Sequence, residues 1–407
     1  MREQAWQRFR FSGRQQGGRR RAVSTATAVA ISVGVGAMTV GALVPSAASA
    51  TPASTTIAST SASASVTSRP DAVQRGLDAL VRDDGVPGAL ASVKGRDGHS
   101  RVYTAGVGDL ATGAKVPRDG QVRIGSNTKA FTAVVMLQLV GEGKVRLDDS
   151  VDTYLPGVVR GEGIDGNRIT IRHLLQQTSG LPNYTKHDLQ PRYYEPRELL
   201  DIALQYKAEF EPGKGWAYSN TNYVLAGLII EEVTKRTVAE EIDQRIIKRI
   251  GLRHTYFPAP HDATIREPHP KGYLQEGEGA PLRDITELDP SWTWAAGQMI
   301  STNSDLNRFY GELLRGRLLP EKQLDQMRTT VRADYFGPGA RYGLGLVSKP
   351  LSCGGVYWGH GGSYPGYETR GGVTDKGRAA NVAVTMQPND KTVMTRVDGV
   401  VDKALCR

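Results

Sequence analysis

Hydrophobic positions along the chain change period three times. In residues 70–83, Val73, Leu77, Leu80 and Val81 fall at helical spacing, which predicts an amphipathic helix packed on the neighbouring elements. Residues 89–93 and 101–105 are short β-favouring runs separated by Asp97-Gly98, a hairpin signal. The middle of the chain then turns helical. Residues 126–140 are nearly continuously apolar after the first turn, the mark of a buried helix rather than a surface one. Further helices are predicted at 171–177, 197–206, 222–234 and 238–250, several of them stopped by Gly or Pro. Strand character returns at 343–347, 354–358, 368–373 and 380–386, and a last helix places Val393, Val397, Val400, Val401 and Leu405 on one face. Strands at both ends with helices between them predict a sheet assembled from the two termini, with a helical insertion packed against it.

The N-terminal 68 residues stand outside this pattern. Residues 22–44 are apolar but rich in Ala, Ser, Thr and Gly, come after a basic start, and lead to Ala48-Ser49-Ala50, a small-residue cleavage signature. Residues 1–50 therefore read as a secretion signal, too weakly hydrophobic for a stable membrane anchor. Residues 51–68 are an uncharged Ser/Thr/Ala stretch, a flexible linker, and the domain is expected over 69–406.

Composition adds little beyond a globular class: 407 residues, 39% hydrophobic and 23% charged. The net charge of +9 is misleading, because seven arginines and one glutamate before residue 22 carry most of it. A nucleic-acid partner needs basic residues in the folded part, and none is expected. Two cysteines, Cys353 and Cys406, form an even pair that suggests one disulfide in an exported protein, the alternative being two buried thiols.

With the cysteines committed, a nucleophilic hydrolase would use serine. Lys129 is the one lysine with a serine three residues before it, Ser126, at the start of the buried helix. Spacing of i and i+3 puts both side chains on one face. Desolvation there lowers a lysine pKa, so the amine can take the serine proton. Taken alone the pair also fits an N-cap serine beside a solvated lysine. Tyr218-Ser219-Asn220 offers a proton relay and an amide that can hold a substrate amide, or simply a helix-capping turn. His360-Gly361-Gly362 combines a histidine with glycines that let a ligand approach the backbone. No histidine has metal-ligand spacing and no Gly-x-Ser-x-Gly elbow occurs, so no metal or cofactor is expected.

In this order, Ser126-x-x-Lys129, Tyr218-x-Asn220 and His360-x-Gly362 resemble the three motifs of the penicillin-recognising serine enzymes: class C β-lactamases, D-alanyl-D-alanine carboxypeptidases and related esterases. The likeness extends through Ile171–Leu175 with Thr178–Leu181, through 218–227, Ala296-Gly297 and 342–346, over roughly residues 70–406. It is closest to the secreted soluble carboxypeptidase, which also has histidine in the third motif and a cysteine pair corresponding to Cys353 and Cys406. The resemblance implies an α+β, β-lactamase/transpeptidase-like fold: an antiparallel sheet flanked by helices, with an all-helical lobe over about 140–290. It implies Ser126 as acylated nucleophile, Lys129 as proton acceptor, Tyr218 as relay to the leaving group and Asn220 as substrate anchor. His360 would help hold Tyr218 and the substrate carboxylate, and the backbone N–H groups of Ser126 and of Ser363, beside Gly362, would form the oxyanion hole. Trp292 matches an aromatic bordering the cleft, with core packing as the alternative. Tyr364 and Tyr367 are candidates for the mouth or for cross-strand packing.

The expected activity is that of a secreted, monomeric serine D-Ala-D-Ala carboxypeptidase acting on cell-wall-type peptides, with β-lactams as acylating ligands and peptidoglycan as a partner. One departure bears on this. Where the carboxypeptidase has an arginine for the substrate's terminal carboxylate, this sequence has Val347, leaving Lys349 or Arg370 as substitutes. An esterase or a class C-like β-lactamase on the same scaffold is the alternative. A noncatalytic penicillin-binding module ranks below both, because nucleophile and lysine are present.

Overall fold

The computed structural model describes residues 71–277, 279–387 and 391–407; the expected secretion signal and linker lie outside the described residues. The first helix, Ala72–Asp84, opens on Asp71, whose side chain accepts from the Val73 N–H at 2.8 Å, and closes on Gly85 in the left-handed conformation. It packs on the final helix, Lys391–Leu405, closely enough that a Cβ on Gly76 would come within 2.7 Å of Val400.

The nine-stranded sheet is antiparallel throughout and joins the two ends of the chain. Gly88–Lys94 pairs on one side with Ser100–Gly106 and on the other with Ala379–Val384, from Ala89 opposite Val384 to Lys94 opposite Ala379. The order continues through Tyr367–Thr374, Val356–Gly359, Val347–Pro350, Arg341–Tyr342 and Val331–Arg332, while Gly362–Tyr364 also pairs with Tyr367–Thr374. Side chains alternate as a sheet buried on both faces requires. Ala89, Ala91 and Val93 pack with the first and final helices, whereas Leu90 belongs to the larger core on the other side. Helix Asn303–Leu314 lies against that second face. There Asn307 donates to Ser92 O at 2.8 Å and accepts from Asn381 at 2.9 Å, so helix and strands share a buried amide bridge.

Behind this layer the central helix, Thr128–Gly141, is buried continuously from Thr128 to Leu139, as its apolar run predicts. Its neighbour is Thr221–Thr234, itself buried over most of its length. Three expectations need correction. Of the run 343–347, residues 343–346 form a turn between strands Arg341–Tyr342 and Val347–Pro350, closed by the Gly343 N–H on Leu346 O at 2.7 Å. Gly345 adopts φ +77° there against the central helix, where a Cβ would strike Ala133. The inserted lobe is not all helical: it carries the hairpins Arg160–Gly161 with Ile164–Asp165 and Tyr273–Leu274 with Arg283–Asp284, ladders too short to leave a two-residue period. The 238–250 helix contains a π-helical segment, Asp243–Ile247.

Cys353 and Cys406 are bonded, anchoring the end of the final helix to the turn after Val347–Pro350. Among the described residues no helix is long and apolar enough to cross a membrane.

Candidate active site

Ser126 lies in a 3-10 turn, Gly125–Asn127, that runs directly into the central helix. The turn is fixed from both sides. Asn127 donates to Ile124 O at 3.0 Å and to Thr369 Oγ1 at 2.8 Å and accepts from the Tyr310 hydroxyl at 2.8 Å, and Thr128 Oγ1 donates to Gly125 O at 2.8 Å. Gly125 has φ +47°, and a Cβ there would meet Ser363 O at 2.7 Å and Ser363 N at 3.1 Å. On the facing strand, a Cβ on Gly362 would fall 1.9 Å from Ile124 O. The two glycines therefore bring the backbone of the Ser126 turn against that of Ser363, the two residues expected to form an oxyanion hole.

Lys129 is completely buried. Its Nζ lies 3.1 Å from Ser126 Oγ, 2.7 Å from Asn220 Oδ1 and 2.7 Å from Ala296 O. Burial holds its pKa well below the ordinary lysine value. The two carbonyl oxygens can only accept, so each takes an N–H of the amine. A neutral amine has two N–H groups and one lone pair, which leaves the lone pair facing the Ser126 hydroxyl.

Asn220 sits at the N-cap position of helix Thr221–Thr234 but makes no side-chain cap bond. Its oxygen goes to Lys129, and its Nδ2 points to Asn183 Oδ1 and Thr185 Oγ1 at 3.4 and 3.3 Å. Asn183 Oδ1 also accepts from the Asn220 backbone N–H at 3.1 Å, fixing the loop. Tyr218, half-buried, turns its ring toward Lys129, with Nζ 4.8 Å from the ring centroid. Burial raises its pKa well above the ordinary phenol value, partly opposed by its hydrogen bond with Ser126. The phenol is thus protonated where the amine is neutral, a pair driven apart in pKa by shared desolvation.

His360 comes directly after strand Val356–Gly359 and is buried. Its Nδ1 lies 2.5 Å from Gly361 O, which as a pure acceptor assigns the proton to Nδ1, and its Nε2 lies 3.3 Å from the Tyr342 hydroxyl. Burial is the main cause that lowers its pKa, to about 3. The structure thus gives the neutral imidazole Tyr342 as its hydrogen-bond partner in place of the expected Tyr218, whose ring centroid is 6.3 Å away. A neutral ring with both nitrogens engaged offers no charge for a carboxylate.

The other candidates are packed or paired within the protein. Trp292 is 2% exposed and packs against Tyr364 in the core, the alternative to a cleft border. Tyr364 and Tyr367 are buried opposite each other across a hairpin and donate to Leu288 O and Pro270 O, so neither lines the mouth. Val347 is buried; Lys349 is paired with Asp398 at 2.9 Å, and Arg370 with buried Glu368. Both substitutes for the missing arginine are thereby engaged by carboxylates.

Sequence reasoning did not single out Ala296 as a lysine acceptor, nor the aromatic wall of Trp216, Tyr335, Phe336 and Tyr342 beside Tyr218. A backbone acceptor leaves no side-chain signature. The sign available for the wall was the aromatic density of 335–342 and its repeat at 216 and 218.

Known proteins resemble this chain in sequence and in structure. A family model described as Beta-lactamase matches residues 73–402. The Putative penicillin-binding protein PbpX of Bacillus subtilis (strain 168) is 30% identical over 63% of this chain, and the match spans 59% of that relative's length. Among solved structures, a D-stereospecific amidohydrolase from Streptomyces sp. is 39% identical with a TM-score of 0.75, covering 82% of this chain and 98% of that one. The D-amino acid amidase of Ochrobactrum anthropi SV3, complexed with L-phenylalanine amide, is 28% identical with a TM-score of 0.73, covering 82% and 96%. The chain belongs to the β-lactamase family of serine hydrolases.

Proposed function

We propose that this hydrolase cleaves amides through an acyl-enzyme on Ser126, acting on a D-configured aminoacyl amide or short peptide. The observation that carries the mechanism is the contact set of Lys129: two acceptor-only oxygens at 2.7 Å leave the lone pair for the Ser126 proton. Ser126 Oγ then bonds to the substrate carbonyl carbon. The backbone N–H groups of Ser126 and Ser363 stabilise the oxyanion. The C–N bond breaks as the proton held by Lys129 reaches the departing nitrogen through the Tyr218 hydroxyl. Water attacks the ester by the same route in reverse and releases the acid. Asn220 orients both lysine and substrate amide.

Engagement of Lys349 and Arg370 by Asp398 and Glu368 favours a substrate without a free carboxylate on its leaving group, and the names of the two amidases similar to this chain support the D-configured amide. Carboxypeptidase action remains the second reading because Arg370 adjoins the third motif: a Cβ on Gly361 would come 2.7 Å from its Nη1. Rates on an acyl-D-alanine amide and on acyl-D-Ala-D-Ala separate the two. Ammonia release from the amide without D-Ala release from the peptide is expected, and the reverse would support Arg370 as the carboxylate anchor. The disulfide and the N-terminal sequence support secretion.

A further inference from the structure

Three large hydrophobic side chains among the described residues are exposed, and Tyr335 is the most exposed, at 63%. Tyr206, another, stacks on the His187 ring away from the site. Tyr335 instead lies parallel to Tyr218, with centroids 5.3 Å apart and planes within 9°. Phe336 at 5.1 Å and Trp216 at 6.1 Å complete an aromatic surface around it, both only part-buried.

The exposed ring is held in place by its backbone. The loop between strands Val331–Arg332 and Arg341–Tyr342 is closed by Ala333 N–H to Ala340 O at 3.0 Å, Phe336 N–H to Ala333 O at 3.1 Å and Gly337 N–H to Asp334 O at 3.0 Å. The Arg332–Asp334 ion pair at 2.6 Å braces its start. A rigid, solvent-facing ring stacked on a part-exposed tyrosine is suited to receiving a planar apolar group with little ordering cost.

We propose that Tyr335, with Trp216 and Phe336, forms a leaving-group subsite that takes an aromatic or other planar apolar amine. The inference rests on the acyl-enzyme reading, in which Tyr218 passes the proton to the departing nitrogen. A group bonded to that nitrogen lies next to Tyr218, and the exposed ring stacked on Tyr218 is Tyr335. Among the described residues, the side chains that make this wall, Trp216, Tyr335 and Phe336, are uncharged, which fits an apolar group on the leaving nitrogen. The amine departs carrying the proton taken from Ser126, and the acyl group stays on Ser126 Oγ.

The test compares the benzylamide and the methylamide of one N-blocked D-amino acid, both alkylamine leaving groups. The wild type is expected to show the higher kcat/KM on the benzylamide. Tyr335→Ala should lower that preference about 2- to 10-fold, chiefly through KM, while Tyr335→Phe retains it. Equal rates on both amides in the wild type would overturn the proposal. So would an unchanged ratio in Tyr335→Ala, or an equal loss on both amides, which would make the ring a prop for Tyr218 alone. Turnover of neither amide would overturn it too. In that case the mass of an acyl adduct, present in wild type and absent in Ser126→Ala, shows whether the acyl-enzyme reading itself survives.

Discussion

At the scale of single residues, the proposed mechanism depends on desolvation acting oppositely on an amine and a phenol. Burial disfavours the charged form of each, so Lys129 is pushed toward the neutral base and Tyr218 toward the neutral acid. The balance can be moved by placing charge on the lysine's partner. Asn220→Asp puts a carboxylate where Oδ1 lies 2.7 Å from Nζ, which favours the ammonium and raises the lysine pKa. The ascending limb of the pH profile of kcat/KM should therefore move to higher pH in Asn220→Asp. A limb that stays in place would mean Lys129 is not the group titrating. His360 provides a separate reading through stability. Folding lowers its pKa from 6.5 to about 3, so between those values the unfolded chain binds the proton and the folded chain does not. Unfolding free energy should fall as pH drops from 6.5 toward 3, and His360→Gln should flatten that slope in denaturant titrations.

At the scale of elements, close backbone approach does what no side chain could. Gly362→Ala drives a Cβ to within 1.9 Å of Ile124 O, so strand and nucleophile turn must separate, costing about 1–3 kcal/mol and most of the activity. Gly399, inside the final helix, has open space around its Cβ, and Gly399→Ala should stabilise by about 0.5–1 kcal/mol with activity intact. Thermal melts with an activity assay check both. The same contrast explains which features are legible in the sequence. The central helix is, because twelve consecutive buried positions force a continuous apolar run, and Val393, Val397, Val400 and Val401 mark the final helix by period. The short hairpins of the lobe are not, since two-residue ladders carry no alternation. Ser126, Lys129, Asn220 and Tyr218 are readable because their chemistry lies in side chains. Ala296 O is not. The His360 partner is hidden as well, because Tyr342 reaches it from a short strand set by the glycine-shaped turn before Val347.

At the scale of the whole molecule, strands from the early and late parts of the described residues lie in one sheet, and a cross-link ties down the C-terminal helix. The Cys353–Cys406 bridge spans 53 residues, for which loop-closure entropy gives about 4 kcal/mol. Cys353→Ser with Cys406→Ser should lower the denaturation midpoint accordingly. Turnover below the transition should be preserved, because the bridge anchors the final helix on the side of the sheet opposite the central helix. Loss of turnover in the still-folded variant would show that the sheet transmits the strain to the third motif.

The central claim is that a neutral Lys129 activates Ser126. It is tested most directly by measuring the rate of covalent adduct formation with benzylpenicillin as a function of pH, by intact mass, in wild type and Lys129→Ala. One adduct is expected in wild type, with a rate that rises along a limb centred well below 10.5, and an acylation rate at least about 100-fold lower in Lys129→Ala. Equal rates in the two proteins, or a limb at the ordinary lysine value, would contradict it.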